Sequence, residues 1–396
     1  METTMTPEEA LLQNRRDAAE KYMRSMATFP WRATQDLTWT IKHEITTEEQ
    51  VTEYALEKQP LAIRAGRLYQ GVPYSYSGCS PYTFFKFLKG KDEKGYPAEE
   101  GLHWRNLNGG AKSTGRIGND CSSSVQQSWM FIGANFTPAG TGMMVPPLGY
   151  IPVGSYKNDY AQYEDTTRIA NENGKTVMFE AYTCLQKADA IVRRADGAGH
   201  TMMITAVYVV RDEQGVIDGA NSYVTVLHQN TSKLKEQVHE YNETFGEDVY
   251  FTFGIDDKYT FDELLEKGYL PVSCDVLVDP KAAPKKVWIK DSVTDYSFGS
   301  ILEGVFSSNQ PMSFVNIRIT NDRGDQVGDQ TCFYIRQSET DEFKFPMSQF
   351  ITEPDFNKLG ELNLQNLTPG TYHCTHTMTD LLGKKHIMRD FDFIIK

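Results

Sequence analysis

The chain has 396 residues, 40% hydrophobic and 23% charged, which is enough for two or three domains that each bury a core. No run of 18 apolar residues occurs, so a membrane-spanning helix is excluded. The net charge of −13 argues against nucleic acid as a partner, because phosphate binding needs a surplus of Lys and Arg, although a local basic patch stays open.

The start is polar and acidic, with Glu2, Glu8 and Glu9, and shows no secretory-signal pattern. Either the protein is not exported this way or a signal has been removed. Thr6-Pro7-Glu8-Glu9 has capping-box spacing with proline at the first helical position, and Leu11, Leu12, Ala18, Ala19, Tyr22 and Met23 recur at helical spacing behind it. A second helix is expected from Thr47 past Val51 and Tyr54, and a third over 61–69, ending at Gly71-Val72-Pro73. These form an N-terminal helical part over 1–70.

Residues 79–118 look like an insertion with its own small structure. Its aromatics Tyr82, Phe84, Phe85, Phe87 and Trp104 suit either a lid or, more simply, core packing. Helices follow near 119–133 and 176–187, strands near 201–210 and 222–227, and Thr260-Phe261-Asp262-Glu263 caps one more helix. Residues 279–286, with Pro280 and Pro284, form a linker. Beyond it, 314–320, 331–335, 372–378 and 386–395 are β-rich runs between turns, the spacing of an immunoglobulin-like sandwich. The expected fold class is α+β, with a domain over 1–280 and an all-β domain over 281–396 whose role the sequence does not give.

Six cysteines (79, 121, 184, 274, 332, 374) include no CxxC pair, so no zinc ribbon or thioredoxin-like site is signalled. A Cys332–Cys374 disulfide is one option; small buried hydrophobes are the simpler one. His373, Cys374 and His376 look metal-like, but strand alternation puts His373 and Cys374 on opposite faces. Residues 108–113 lack full phosphate-loop spacing. No cofactor and no metal are expected.

The chemistry centres on Asn119-Asp120-Cys121-Ser122-Ser123-Ser124 at a helix start. There the helix dipole favours a thiolate, and unpaired backbone amides are available to an oxyanion. A capping aspartate followed by an incidental cysteine fits this stretch equally well. Ala198-Gly199-His200 at the lip of a buried strand offers a base. In Leu227-His228-Gln229-Asn230, His228 and Asn230 share a strand face, and either could orient the second nitrogen of His200.

In order, these pieces resemble the NlpC family of papain-like bacterial cell-wall cysteine peptidases. Gly71-Val72-Pro73-Tyr74-Ser75-Tyr76-Ser77-Gly78 is similar to its G-x-P-Y-x-x-G-G stretch, and Asp120-Cys121-Ser122 to its D-C-S motif. Lys187-Ala188-Asp189 stands where the family has P-G-D, Gly199-His200-Thr201-Met202-Met203-Ile204 resembles its H-V-G-I strand, and His228 falls at its third polar position. The match spans about 70–230. It departs from the pattern in the long Tyr74-to-Cys121 and His200-to-His228 intervals and in Ser123, which replaces a glycine.

The resemblance implies Cys121 as nucleophile, His200 as base, His228 as orienter and Tyr74 as a nearby hydroxyl, supported by Asp120, Ser122 and Asn230. The expected activity is cleavage of amide bonds in peptidoglycan stem peptides through a thioester, outside the cytoplasm. Amide cleavage or acyl transfer on another substrate uses the same machinery. An inactive peptidase fold serving as a binding module is the third option, and a catalytic thiolate would separate it by reacting near neutral pH faster than the other thiols.

Overall fold

The fold, seen in a computed structural model, is described for residues 5–34, 37–39, 61–74, 81–86, 88–95, 97–99, 119–135, 140–146, 150–158, 164–195, 197–333, 342–352 and 358–396. The helix expected from Thr47, most of the insertion with Phe87 and Trp104, Cys79 and the 108–113 stretch lie outside those residues.

Helix α1 (Pro7–Thr28) starts as its capping box dictates: the Glu9 amide donates to the Thr6 side chain, and the Thr6 amide donates to the Glu9 carboxylate. Its buried face of Ala19, Met23, Met26 and Ala27 enters the first hydrophobic core. Four short strands follow: β1 (Pro30–Arg32), β2 (Leu37–Trp39), β3 (Leu61–Ile63) and β4 (Leu68–Gln70). The helix expected over 61–69 is therefore two strands. Gly66, at φ +79°, turns the chain between them. Pairing with distant partners, β3 on β2 and β4 on β1, overrides the local helical periodicity.

The described part of the insertion holds α2 (Pro81–Phe85), β5 (Leu88–Lys91) and β6 (Pro97–Glu99). Phe84 is fully buried against Trp31, ring centroids 4.9 Å apart, so its role is core packing. The remaining elements of the first unit are α3 (Cys121–Phe131), β7 (Ile151–Pro152), α4 (Thr166–Thr183), β8 (Ala190–Ala195), β9 (Ala198–Tyr208), β10 (Tyr223–Gln229), α5 (Thr231–Lys235), β11 (His239–Asn242), β12 (Glu247–Phe251), β13 (Phe253–Thr260), α6 (Phe261–Glu266), β14 (Leu270–Ser273) and α7 (Asp275–Val278). The stretch α4 is two helical pieces that meet at Gly174, whose φ of +80° and ψ of 164° are not helical; Asp165 caps the first piece, and the second, 175–183, is the helix expected near 176.

One six-stranded sheet, ordered β13-β10-β9-β8-β14-β7, is antiparallel throughout, and α3 lies against β9 and β10. A second sheet, β11-β12-β4-β1-β6-β5, contains two parallel pairs, β12 with β4 and β1 with β6. A buried ion pair clamps α1 to the turn before β8: Arg16 donates to Asp189 at 2.8 Å and to the carbonyls of Lys187 and Leu277 at 2.8 and 2.9 Å.

After the linker come β15 (Ile289–Asp291), β16 (Val305–Ser308), β17 (Met312–Asn321), β18 (Gln326–Cys332), β19 (Phe343–Pro346), α8 (Gln349–Thr352), β20 (Lys358–Glu361), β21 (Gly370–Asp380) and β22 (Lys385–Ile395). Sheets β15-β16-β19 and β20-β18-β17-β21-β22 share a second core that includes Phe306, Phe345, Val315, Ile317 and Phe393. Arg389, fully buried, holds β22 to β15 through a two-pronged contact with Asp291 at 2.7 and 2.9 Å. Phe314 and Phe333 belong to the first core and join the two units.

Cys332 and Cys374 are buried thiols and form no disulfide with each other. They sit on the strands either side of β17, opposite Val315 and Ile319 respectively. Two strand spacings of about 4.8 Å plus that offset put their Cα atoms beyond the ~7 Å a disulfide spans. His373 is half-buried and contacts Asp392 and Asp390 at 2.7 and 2.8 Å, whereas Cys374 and His376 are buried. Among the described residues no three His, Cys, Asp or Glu gather to hold a metal ion. The chain is thus α+β, with several antiparallel sheets and two cores.

Candidate active site

Cys121 is the first residue of α3, and Asp120 is its cap. The Asp120 carboxylate accepts from the Ser123 amide at 2.7 Å and from the Ser122 and Ser123 hydroxyls at 2.9 and 2.8 Å. Asn119 and Gln127 exchange two side-chain hydrogen bonds of 3.2 and 3.1 Å behind it. This explains how so polar a helix is buried: from Ser122 to Ser128 every serine and glutamine is nine-tenths or more inaccessible, and most find a partner in Asp120, Asn119, Gln229 or the Ser124 carbonyl. The Trp129 indole anchors the far end on the Ala188 carbonyl at 2.8 Å.

Tyr74 reaches the same place through a parallel bridge to Asn119, whose amide donates to the Pro73 carbonyl at 3.0 Å. Gln229 ties these pieces together. Its amide nitrogen donates to the Val72 and Pro73 carbonyls at 2.9 Å each, and its oxygen accepts from Ser124 at 3.0 Å. Gln229 carries no signal of its own in the sequence, because alternation along β10 turns it away from the face of His228.

Tyr74, Asp120, Cys121, Ser122, His200 and Asn230 all line one cleft of about 600 Å³, together with Thr141, Arg194, Gly199 and Gln229. Gly199 is there because nothing larger fits: a Cβ would lie 1.9 Å from the Thr141 hydroxyl across the cleft wall. The structure therefore brings the sequence-selected residues to one place, with His228 just behind the wall.

His200 Nε2 lies 2.7 Å from His228 Nδ1. The register produces this contact. Leu227 opposes Met203, so His228 falls opposite Met202, on the face His200 also occupies two residues along β9. Asn230 does not fill the orienting role: its side chain accepts from the Ser232 amide at 2.9 Å and caps α5. Of the two, it is His228 whose ring contacts His200.

Behind His228 stands Asp257, a residue with no sequence signal. Its Oδ2 is 3.1 Å from His228 Nε2 and 3.0 Å from Lys233 Nζ. Burial works to raise its pKa, but the bonds from His228 and Lys233 hold it below the usual carboxylate value. Asp257 is three residues from Gly254, which opposes His228, so simple alternation would turn it away. A bulge at Asp256, φ +55°, adds the extra residue and returns Asp257 to the histidine's side.

The electrostatics differ from the expected thiolate. Burial first, and then the neighbouring Asp120, push the Cys121 thiol up to about 12, although the amides of Thr201, Ser122 and Cys121 itself work downward. Burial, His228 and Arg193 push His200 down to about 3. Among the described residues no hydrogen bond joins the thiol to His200. Both shifts favour a neutral thiol beside a neutral imidazole at rest, since desolvation works against the charged form of each. Attack by such a thiol needs proton removal as the bond forms, with the helix-start amides ready to receive an oxyanion.

The chain matches no protein-family model and no curated protein sequence.

Proposed function

We propose that the chain is a papain-like cysteine hydrolase of NlpC type that cleaves amide bonds in peptidoglycan stem peptides through a thioester. The observation that carries this is that a helix-start thiol, Cys121, and His200 line one cleft, with His200 Nε2 2.7 Å from His228 Nδ1. His200 takes the thiol proton as Sγ attacks the carbonyl carbon, and the oxyanion meets the backbone amides at the start of α3. Collapse breaks the C–N bond, and His200 passes the proton to the leaving amine. Water, deprotonated by the same imidazole, then hydrolyses the thioester and frees Cys121.

The peptidoglycan assignment rests on the motif order around Tyr74, Cys121, His200 and His228, and places the protein's work at the cell envelope. The immunoglobulin-like assignment of the C-terminal unit draws support from the Tyr372 hydroxyl, which donates to the Thr368 carbonyl at 2.8 Å, two residues before Cys374. That is the form of a tyrosine corner.

The test is digestion of purified peptidoglycan fragments by the full chain. Wild type releases free peptide and an acyl-Cys121 adduct is trapped by mass spectrometry, whereas Cys121→Ala does neither and melts almost unchanged. A reactive Cys121 with no digestion of any fragment rejects the substrate, and the trapped acyl mass then identifies the true one.

A further inference from the structure

We propose that Asp257, acting through His228, is the positioning residue that fixes the tautomer of His200. The argument follows hydrogens along the chain of contacts. A carboxylate can only accept, so at 3.1 Å His228 Nε2 must carry the hydrogen it donates to Asp257 Oδ2. A neutral His228 then has a bare Nδ1, which can only accept. At 2.7 Å its partner, His200 Nε2, must therefore carry a hydrogen. In a neutral imidazole that leaves His200 Nδ1 bare, the state a base needs to receive the thiol proton.

Three features around Asp257 serve this one contact. The bulge at Asp256 rotates the carboxylate onto the histidine's side of β13. Gly254 leaves the gap, since a Cβ there would stand 2.2 Å from His228 Nε2 and 2.4 Å from Asp257 Oδ2. Lys233 Nζ sits 3.0 Å from that same oxygen and keeps it in place. His228 is fully buried, so no solvent competes for its ring nitrogens.

This deepens the hydrolase reading, and its kinetic arm rests on that reading; its spectroscopic arm does not. The experiment uses the full chain with 15N-labelled histidines, whose rings are assigned with His200→Gln and His228→Gln. Long-range proton–nitrogen correlations report each ring's tautomer directly. In wild type, His200 and His228 both carry hydrogen on Nε2. In Asp257→Ala, His200 becomes a mixture with a substantial Nδ1–H form. Asp257→Asn restores the wild-type pattern, because Lys233 draws the amide oxygen to the position Oδ2 now holds. In turnover of a peptidoglycan fragment, Asp257→Ala lowers kcat about 100-fold with KM changed little, and Asp257→Asn recovers most of it.

An Nδ1–H tautomer for His200 in wild type overturns the proposal. So does an Asp257→Ala protein that melts lower while both rings keep their tautomers, which marks a merely structural carboxylate. Tautomers that shift as stated in a protein with no hydrolytic turnover leave the positioning role standing and reject the hydrolase reading instead.

Discussion

Gly254 faces His228 across two antiparallel strands at a distance that admits hydrogen and nothing more. An added methyl would sit 2.2 Å from the imidazole Nε2. The Gly254→Ala variant is expected to push His228 off Asp257 and lose roughly 1–3 kcal/mol of stability through overpacking. Its turnover should fall even at temperatures where it stays folded. Chemical unfolding alongside activity checks both, and a variant with wild-type stability would show that the strands give way easily.

The thiol's chemistry makes a prediction opposite to that of a preformed ion pair. Cys121 is 5% exposed and its pKa is raised to about 12, while Cys184 is exposed. Iodoacetamide at neutral pH should label Cys184 before Cys121, with Cys121 gaining ground only as the pH rises. Peptide mass mapping over a time course reads the order. Fast labelling of Cys121 at pH 7 would mean that the free protein holds a thiolate; slow labelling fits both a hydrolase that loses its thiol proton only during attack and an inactive fold, so turnover and not labelling separates those two.

Acid should weaken the fold partly through His200. Its native pKa of about 3 lies below the ordinary histidine value of about 6.5. Between those values the unfolded chain binds one more proton than the native state, so stability falls as pH drops through that window and is regained as pH rises. The contribution is a slope of about 1.4 kcal/mol per pH unit at its steepest. Wild type and His200→Gln share every carboxylate, so the difference between their unfolding free energies at pH 4 and pH 7 isolates the term. Parallel pH curves for the two proteins would remove it.

The Arg16–Asp189 pair is buried on both sides, and Asp189 also accepts from Ser273 at 2.6 Å and from the Gln186 amide at 2.8 Å. Removing one partner strands the other charge without water. Arg16→Met is expected to cost about 3–5 kcal/mol. The double variant Arg16→Met with Asp189→Leu should recover part of that loss, and urea midpoints measure the cycle. Equal loss in the single and double variants would assign the cost to packing instead of charge.

Several features were legible in the linear chain because they depend on neighbours a few residues apart. The capping boxes at Thr6 and Thr260, the Asp120 cap before Cys121, and the β-rich runs after the 279–286 linker are of this kind. The turn before Asp189 is different: only the resemblance pointed to it, and there Ala188 takes φ +68°, a conformation that normally favours glycine. Cys121, His200 and His228 stand out by residue type and local setting, Tyr74 only through the resemblance; Tyr74, Cys121 and His200 line one cleft, with His228 against His200.

What the chain alone does not contain is anything decided by partners far away. Residues 61–69 show helical periodicity locally, yet become strands because β1 and β2 offer them hydrogen bonds. The thiol's pKa follows from how deeply the fold desolvates it, a quantity no spacing encodes. Asp257 reaches His228 only through a one-residue bulge that reverses the strand's alternation, so its position, and the proton order it imposes, exist only in the folded sheet.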